Sequence, residues 1–430
     1  MGEDNLQILK RNVLVISYYF PPMGLSGVQR TLKFVKYLPE NGWEPLILTS
    51  SSEAYYAFDE TLMDEVPKPE NIYRTKPDIS RFAKLKSGTV MKYPSRFSKA
   101  IRSSISSVFF QPDSRSGWRK SAVALGRKIL TNNPVHAIYA SGPPYTDFLV
   151  AMELSKQFEI PFVIDYRDPW LDNPYYHYPS PFHKSYSQNL EEEVLKNTSK
   201  AVVTSRYVKE LMLKRYRILS HEDIVIIPQG FDSNDFSAVE ATEKNKDKFV
   251  ITHTGTFGDD LTPKYFLKAL ASFLSKNKEA AEKVEARFAG VMSKSHQKLV
   301  KKFKLEKNIV NCGYLPHQQS IAELKNADVL WLMFQNKAMT PGRLFEYIGA
   351  QKPILICGPD GEMKRAALAS KAAIDCPPND IKAIEKAISI FYEKWQSDCL
   401  PKISSQYASN FDRRLLTADL ARELSLVALY

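Results

Sequence analysis

The sequence predicts an α/β protein made of two Rossmann-like domains in tandem. Both halves alternate short, nearly continuous apolar runs, typical of parallel strands buried on both faces, with segments of helical spacing. A polar and charged stretch separates the halves, and a chain of 430 residues suffices for two domains of roughly 200 residues each. We therefore expect an N-terminal domain at residues 1–232, a linker at 233–248 and a C-terminal domain at 249–405. A final helix at residues 406–430 is expected to cross back onto the first domain.

Strands and helices are expected to alternate along each half. In the first half, strands are predicted at residues 12–18, 44–49, 137–140, 162–165, 200–205 and 224–227, and helices at 28–38, 119–130, 187–196 and 206–216, with one more ending near 158. In the second half, strands are predicted at 249–255, 286–290, 308–314, 328–334, 353–357 and 373–376, and helices at 262–274, 343–350, 380–396 and 406–429. The last segments hold more helix than the second sheet needs, which predicts the return to the first domain.

The composition is that of a soluble globular protein, with 44% hydrophobic and 25% charged residues. No apolar run approaches the ~20 residues that span a bilayer, and the N-terminus does not resemble a signal peptide. These features predict a cytoplasmic protein, which a lipid-binding segment could place on the inner face of the plasma membrane. The four cysteines are widely spaced without a CxxC pair, which favours reduced thiols over a metal site or disulfides.

The formal net charge of +11 indicates an anionic partner, and the charge is unevenly distributed. Residues 79–111 contain seven basic residues and no acidic one, interleaved with aliphatic and aromatic side chains. This pattern fits a segment that lies on an anionic membrane surface. The alternative is a solvated basic loop whose apolar residues pack on the domain. The chain carries no recognised nucleic-acid-binding module, so nucleic acid is not expected as a partner.

Two loops of the first half follow predicted strands, where open α/β sheets bind ligands. A loop containing Gly24 and Gly27 leads into a helix N-terminus, a geometry that cradles phosphate, although it lacks the dinucleotide fingerprint. Arg167 and Asp168 follow another strand, with Trp170 beside them. Asp168 could instead cap a helix or pair with Arg167. Aromatic residues at 175–178 could stack on a sugar, lie at a membrane or form an ordinary loop cluster.

The most informative stretch of the second half is residues 340–357. A short predicted helix carries Arg343 in its first turn and Glu346 one turn later, between two apolar strands. The helix N-terminus offers free N–H groups and a partial positive charge, to which Arg343 adds a fixed charge. The pattern therefore predicts an anion and hydroxyl site. An ordinary helix that links two strands, with Glu346 solvated, is the alternative.

An ordered set of motifs resembles the GT-B glycosyltransferases, and within them family 4, retaining enzymes that use nucleotide-sugar donors. The motifs are Pro-Pro-Met-Gly-Leu-Ser-Gly at 21–27, Ser-Gly-Pro-Pro-Tyr at 141–145, Asp-Tyr-Arg-Asp-Pro-Trp at 165–170, Ile-Pro-Gln-Gly-Phe-Asp at 227–232, His-Thr-Gly-Thr-Phe at 253–257, Gly-Tyr-Leu-Pro-His at 313–317 and Pro-Gly-Arg-Leu-Phe-Glu-Tyr at 341–347. Each motif is modest, but the order is distinctive and covers nearly the whole chain.

The resemblance implies a role for each matching position. The first domain would lie on the acceptor side, with Ser141, Pro143, Tyr145, Trp170 and Tyr175 near the acceptor and with Asp168 and Arg167 catalytic. Donor contacts would come from Gly24, Ser26, Gly27, Gly255, Thr256, Lys264, Tyr314, Leu315, His317, Gly342, Arg343, Leu344 and Glu346. Glu346 would hold the ribose hydroxyls, since a carboxylate can accept two hydrogen bonds. Main-chain N–H groups at residues 339–344 would contact the diphosphate or the sugar.

The chain departs from the family pattern in three places. The first Glu of a common Glu-seven residues-Glu motif is Ala338, Arg167 stands where many members have His, and Leu261 stands where a basic residue is expected. The carboxylate that would touch the transferred sugar is therefore missing. No catalytic histidine is implied either, which leaves Asp168 as the better candidate for contacting donor sugar or acceptor.

The resulting hypothesis is retaining, metal-independent transfer of a hexosyl group from a nucleotide sugar, with a UDP-sugar favoured, to an acceptor hydroxyl. The sequence has no Asp-x-Asp motif, so neither a metal nor a cofactor is required. A lipid-linked saccharide or another surface glycan precursor is the favoured acceptor, because residues 79–111 are basic and apolar. The alternatives are a nucleotide-sugar 2-epimerase of the same fold and a non-catalytic nucleotide-sugar-binding protein. A dehydrogenase is excluded, because neither half has G-x-G-x-x-G after its first strand.

Overall fold

The computed structural model describes residues 11–24, 26–51, 57–76, 111–173, 176, 178–240, 245–257 and 261–429. The described chain forms two compact units. Unit 1 contains the residues up to Pro228 and those from Arg413 onward, and unit 2 contains Gln229–Asp412. Apart from Gln111, the basic segment predicted at 79–111 lies outside the described residues.

Unit 1 is built on a parallel sheet with helices on its faces. Its strands are β1 (Arg11–Ile16), β2 (Trp43–Thr49), β3 (Ile72–Arg74), β4 (Ala137–Gly142), β5 (Phe162–Tyr166), β6 (Lys200–Val203) and β7 (Ile224–Ile226), and its first helices are α1 (Gln29–Tyr37), α2 (Trp118–Asn132), α3 (Thr146–Phe158), α4 (Pro181–Asn197) and α5 (Arg206–Arg215). In the described part, seven strands are ordered β3-β2-β1-β4-β5-β6-β7. The order reverses between β1 and β4, which is the point where such sheets bind ligands.

Unit 2 repeats the same plan with one strand fewer among the described residues. Its strands are β8 (Phe249–Thr254), β9 (Val284–Ala289), β10 (Ile309–Gly313), β11 (Val329–Met333), β12 (Ile354–Cys357) and β13 (Ala373–Cys376), and its helices are α6 (Ser233–Ala238), α7 (Lys264–Lys276), α8 (Lys278–Lys283), α9 (Lys294–Lys302), α10 (His317–Asn326), α11 (Gly342–Gly349), α12 (Glu362–Ala369), α13 (Ile381–Gln396) and α14 (Ser405–Ser409). The strand order is β10-β9-β8-β11-β12-β13, which places the reversal between β8 and β11. The predicted α/β architecture of two Rossmann-like domains is confirmed.

The last helix, α15 (Arg413–Val427), packs against α1 in unit 1. Leu416, Leu420 and Leu424 recur at helical spacing and are buried in the same core cluster as Leu32 of α1. The predicted return to the first domain is therefore confirmed. The single helix predicted at 406–429 is interrupted, because α14 ends at Ser409 and the Phe411 carbonyl accepts from the Phe231 N–H, 3.0 Å away.

The segment predicted as a linker at 233–248 begins with structure. Asp232 caps α6 by accepting from the Asn234 N–H at 3.0 Å. Lys325 of α10 donates to the Phe236 carbonyl at 2.8 Å, so α6 is attached to unit 2. None of the helices in the described ranges is long and apolar enough to cross a membrane.

A buried ion pair fixes α1 beneath the strand ends of unit 1. Arg30 donates to both carboxylate oxygens of Asp165, at 2.7 and 3.0 Å, and to the Ile227 carbonyl at 2.9 Å. Tyr139 donates to the same carboxylate at 2.5 Å. Removing one partner of such a pair costs about 3–5 kcal/mol, because the other charge stays buried without compensation. The pair therefore holds the first helix in register with the sheet.

Candidate functional site

Two helix N-termini meet the strand reversal of unit 2. Helix α7 follows β8 and helix α11 follows β11, and the carboxyl ends of these neighbouring parallel strands lie at one edge of the sheet. Neither helix has a side-chain N-cap, since Pro263 and Pro341 occupy the capping positions. A β-carbon added at Gly342 would meet no atom within 4 Å. The N-terminus of α11 is thus open to an approaching ligand, with its positive dipole end exposed.

Arg343 lies against the main chain at the end of β8. Gly255 has φ +128°, a conformation open to glycine, and a β-carbon there would be 2.1 Å from Arg343 Cζ. Gly290, at the end of β9, approaches the Gly255 carbonyl as closely, with 2.1 Å between its notional β-carbon and that oxygen. Gly255 therefore makes the space in which the guanidinium lies, and Gly290 makes room for the main chain of Gly255.

His253 contacts the Arg343 guanidinium from β8. Its Nδ1 lies 2.9 Å from the Trp331 carbonyl and its Nε2 lies 3.4 Å from Arg343 Nη1. Because a carbonyl only accepts, Nδ1 carries the proton and Nε2 presents a lone pair to the arginine. Burial and the neighbouring Arg343 charge lower the pKa of His253 to about 3. The imidazole is therefore neutral at physiological pH and orients the arginine.

Helix α11 is attached to the strands through Tyr347, and the neighbouring Glu346 carboxylate is unpaired among the described residues. The Tyr347 hydroxyl accepts from the Thr254 N–H at 2.9 Å and donates to the Trp331 carbonyl at 3.2 Å. The half-buried Glu346 carboxylate has no hydrogen bond or ion pair with any described residue. A rigid helix thus presents a carboxylate acceptor one turn after a fixed cation.

The loop before α11 uses part of its own hydrogen-bonding capacity. The Met339 N–H donates to Asn336 at 3.2 Å, and the Leu344 N–H donates to Pro341 at 3.0 Å. Leu344 itself is a fully buried core side chain. In the described chain, the open N–H groups of this stretch are those of Gly342 and Arg343, at the first turn of the helix.

The remaining predicted donor residues of unit 2 belong to other elements of the sheet and its helices. Lys264 is exposed at the first residue of α7 and forms no ion pair within the described ranges, and the half-buried Thr256 follows Gly255. Tyr314, Leu315 and His317 follow β10. In the sheet, β9 lies between β10 and β8. The His317 Nε2 lies 2.8 Å from an Asp235 oxygen in α6, so its imidazole helps to hold that helix.

Arg167 links the loops at the strand reversal of unit 1. Its guanidinium donates to the carbonyls of Gly27 and Pro143, and its main-chain N–H donates to the Gly142 carbonyl at 2.9 Å. The loops that follow β1, β4 and β5 are joined in this way by one side chain. Arg167 therefore holds these loops together, and its catalytic role stays a prediction.

Asp168 is the neighbouring carboxylate, and it is unpaired. It is half-buried and makes neither a helix-cap hydrogen bond nor an ion pair with any residue in the described ranges. Burial raises the pKa of Asp168, and the positive charge of Arg167 partly offsets this effect. A carboxylate at a strand end that the fold does not use is available for a ligand.

The predicted acceptor-side aromatics are inside the protein. Tyr145 and Trp170 are fully buried and stacked, with ring centroids 4.7 Å apart and an interplanar angle of 4°. The Tyr145 hydroxyl donates to the Pro169 carbonyl at 2.9 Å, next to Asp168. The two rings therefore pack inside the protein and support the loop that carries Asp168. Ser141 is likewise buried and Pro143 half-buried, whereas Tyr175 lies outside the described residues.

The glycine-containing loop after β1 is partly committed to main-chain bonds. The Gly24 N–H donates to the Ala57 carbonyl at 3.0 Å, and the Gly27 carbonyl accepts from Arg167. Ser26 is exposed, and the following helix begins after Val28 without a side-chain cap. The first residues of this helix are buried, and the Gln29 N–H donates to the Ser26 carbonyl at 3.4 Å.

Three residues of these sites were not assigned a role from sequence. His253 and Tyr347 lie within the quoted motifs, but only the structure shows that they hold Arg343 and helix α11. Asp113 accepts from the Thr146 N–H and hydroxyl, both at 2.9 Å, and so caps α3 from a distant loop. The sequence signal for Asp113 is weak, because 33 residues separate the cap from its helix.

Comparisons with known structures show the same fold across the whole chain. A glycosyltransferase from Rickettsia africae is 15% identical with TM-score 0.66, covering 97% of this chain and 98% of that one. The Anabaena protein HepE in complex with UDP and glucose is 14% identical with TM-score 0.65, covering 97% and 100%. A putative UDP-N-acetylglucosamine 2-epimerase from Listeria monocytogenes is 12% identical with TM-score 0.60, covering 96% and 95%. At such identities, each likeness shows the fold alone.

Family models identify both halves of the chain. The model for Glycosyltransferase Family 4 matches residues 26–235, and the model for Glycosyl transferases group 1 matches residues 235–408. No curated protein sequence matches the chain. Together the two models cover residues 26–408, which include most of both units and every quoted motif from Ser141 to the Arg343 helix. The chain therefore belongs to the GT-B glycosyltransferases of the family 4, group 1 type.

Proposed function

We propose that this protein transfers a sugar from a nucleotide-sugar donor, with a UDP-sugar favoured, to an acceptor hydroxyl with retention at the anomeric carbon. The observation that carries the proposal is the strand-end arrangement of unit 2. An open helix N-terminus, a fixed Arg343 and an unpaired Glu346 carboxylate stand within one helical turn. A diphosphate needs the first two features, and a ribose diol needs the third. HepE, which shares the fold, was crystallised with UDP, so uridine diphosphate is the first nucleotide to test.

In the proposed reaction, the bond between the anomeric carbon and the diphosphate oxygen breaks, a bond to the acceptor oxygen forms, and the proton of the acceptor hydroxyl passes to the departing diphosphate. Negative charge develops on the leaving diphosphate. Arg343, Lys264 and the first-turn N–H groups of α11 are assigned to this charge, because preorganised donors stabilise a transition state without reorganising. No cofactor beyond the co-substrate and no metal is invoked in these steps.

In unit 1, Asp168 is assigned to the acceptor hydroxyl. It is an unpaired, half-buried carboxylate at a strand end, and Arg167 and the buried Tyr145 support the loop that carries it. A carboxylate there can accept a hydrogen bond from a sugar hydroxyl. A lipid-linked saccharide or other surface glycan precursor is the proposed acceptor class, from the basic and apolar composition of residues 79–111.

The decisive experiment combines a thermal-shift screen of nucleotide sugars with calorimetry of Glu346 variants. A ligand that binds only the folded protein raises its apparent stability. Glu346→Ala is expected to weaken UDP binding by about 10- to 100-fold, since hydrogen bonds to a charged group contribute about 1.5–3 kcal/mol. Glu285→Ala, which removes a carboxylate of β9, is the control for a general loss of negative charge. Unchanged UDP affinity in Glu346→Ala would remove the ribose assignment.

Product analysis then separates glycosyl transfer from the alternatives. A transferase releases UDP and joins the sugar to an acceptor with the donor's anomeric configuration, which NMR of the product reports. A 2-epimerase instead yields an altered sugar still attached to the nucleotide, and a binding protein yields no product. Either of the last two results, obtained with the donor that gives the largest thermal shift and with a panel of saccharide acceptors, would overturn the proposed transfer.

A further inference from the structure

Helix α9 presents a one-sided row of lysines in unit 2. Lys294, Lys298, Lys301 and Lys302 follow the spacing i, i+4, i+7 and i+8, which places them within about 100° of the helix circumference. All four are exposed. We call this row, with the exposed Lys304 and Lys307 that follow it, the lysine face.

The lysine face is uncompensated. Between Ala289 and Asn308 the chain has six lysines and one acidic residue, Glu306. None of the six ammonium groups has an ion pair or a hydrogen bond with a described residue. Helix α7, which packs against α9, contains no acidic residue either. The positive potential of this surface is thus available to a partner.

The opposite side of α9 belongs to the core, which fixes the direction of the lysines. Leu299, Val300 and Phe303 pack on the main hydrophobic cluster of unit 2, and His296 is buried. The Ser293 hydroxyl caps the helix by accepting from the His296 N–H at 3.3 Å. The helix is therefore a fixed platform, and its charged row cannot turn inward.

We propose that the lysine face is a docking surface for a bilayer rich in anionic phospholipid. This inference is independent of the proposed sugar transfer, because it rests on another helix and on another kind of contact. Each lysine near an anionic bilayer contributes on the order of 1 kcal/mol, with no need for shape complementarity. The lysine face supplies such charge, with six exposed lysines of which four lie on one side of a single helix.

The chemistry of the face favours lipid over the two other polyanionic partners. Single-stranded nucleic acid is held by stacking on aromatic side chains, and protein interfaces are enriched in aromatic residues and arginine and depleted in lysine. The lysine face has no arginine, and no large hydrophobic side chain in the described part of residues 264–307 is exposed. An anionic bilayer can be bound through charge alone, and the lysine face offers charge without aromatic or arginine side chains.

The test is co-sedimentation of the full-length protein with vesicles of equal parts phosphatidylglycerol and phosphatidylcholine, against vesicles of phosphatidylcholine alone. The face variant replaces Lys294, Lys298, Lys301 and Lys302 by Gln, which keeps a good helix former at each exposed position. The control variant replaces Lys382, Lys386, Lys394 and Lys402 by Gln, four other exposed lysines of unit 2 without an ion pair to any described residue. Both variants lose the same charge, and thermal unfolding verifies that both are folded.

Wild type and the control variant are expected to bind the anionic vesicles and not the neutral ones. The face variant should bind them about 100- to 1,000-fold more weakly, from the summed contribution of four lysines. Equal binding of the face variant and wild type, or an equal loss in both variants, would overturn the proposal. So would wild-type protein that binds a homopolymeric RNA but not the vesicles, because the face would then serve a soluble polyanion.

Discussion

The Arg343 guanidinium lies against the α-carbon of Gly255, so that a β-carbon at residue 255 would be 2.1 Å from Arg343 Cζ. The contact joins the end of β8 to the first turn of α11, across the strand reversal of unit 2. Gly255 therefore has two functions. It adopts φ +128°, a backbone conformation that residues with a side chain rarely adopt, and it leaves room for the Arg343 guanidinium. His253 completes the arrangement by presenting a neutral nitrogen to the same guanidinium.

Gly255→Ala is expected to displace Arg343 and so to weaken UDP binding together with lowering the stability of unit 2. The β-carbon overlaps the guanidinium, and the backbone conformation costs roughly 1–2 kcal/mol for a residue with a side chain. Gly313→Ala is the matched control, because Gly313 also has positive φ, +69°, but a β-carbon there meets nothing within 4 Å. Calorimetry with UDP and thermal unfolding separate the two effects. If both variants bind UDP as wild type does, Arg343 has no part in donor binding.

His253→Asn is expected to remove a pH dependence of stability. The folded pKa of His253, about 3, lies below its unfolded value of 6.5, so the unfolded state takes up the proton first as pH falls. Stability is complete above pH 6.5 and is lost progressively as pH falls towards 3, by about 2 kcal/mol between pH 7.5 and 5. Denaturant unfolding of wild type and variant at both pH values measures the difference. The buried amide of Asn can still donate to the Trp331 carbonyl but does not titrate. Parallel pH profiles for the two proteins would contradict the neutral state assigned to His253.

Asp168→Asn is expected to lower turnover while slightly raising stability. Burial disfavours the charged carboxylate, as its raised pKa shows, and no described residue supplies a hydrogen bond to it. Removing the charge relieves the fold, whereas an amide is a poor substitute for a carboxylate that accepts from a hydroxyl. Asp172→Asn, which breaks the ion pair with Arg215 in the same loop region, is the control for altered charge. Steady-state kinetics and thermal unfolding measure both effects. Near-normal turnover in Asp168→Asn would take this residue off the site.

Most strands of the two sheets could be predicted from the sequence because they are runs of apolar residues, as in β11 and β12, whose residues are all buried. The strand predicted at 12–18 is observed as β1, and it ends earlier because the Tyr18 N–H turns away to donate to Asp147 at 2.9 Å. Strand β3 has only three half-buried residues, too few for a pattern, and was not predicted. The segment at 233–248 has linker composition, yet Asp232 caps a helix within it.

The candidate site shows the limit of sequence patterns more clearly. Residue types at strand ends are visible in the sequence, and Arg343, Glu346 and Asp168 stand where the pattern predicts a ligand site. The partners of these residues depend on tertiary contacts. Arg167 donates to a carbonyl 140 residues away, and Tyr145 stacks on Trp170 in the interior. Side chains of the same chemical type thus either support the fold or face the candidate ligand site. Which of the two they do depends on contacts that only the folded chain makes.

Glu191→Gln is expected to stabilise unit 1 at high pH. Glu191 is buried on α4 and accepts from the Tyr216 hydroxyl at 2.7 Å, and burial raises its pKa to about 7 from 4.5. The folded state therefore keeps the proton that the unfolded state loses, and the free energy of unfolding decreases as pH rises from 4.5 to 7. The loss between pH 5 and 8 is about 2–3 kcal/mol. An amide keeps the shape and the tyrosine contact without titrating. Glu193→Gln, whose exposed pair with Lys156 contributes about 0–1 kcal/mol, is the control on the same helix.

The measurement for Glu191 is chemical unfolding of wild type and both variants at pH 5 and pH 8. Between pH 4.5 and 6.5 the effects of Glu191 and His253 on stability oppose each other. Titration of Glu191 lowers the free energy of unfolding as pH rises, and titration of His253 lowers it as pH falls. The free energy of unfolding of the wild type therefore changes less with pH than either group alone would make it change. The variants separate the two contributions. Glu191→Gln should gain stability over wild type at pH 8 by about 2–3 kcal/mol more than at pH 5. Equal differences at the two pH values would show that the buried carboxyl does not hold its proton, since the asymmetry requires a folded pKa above the unfolded value.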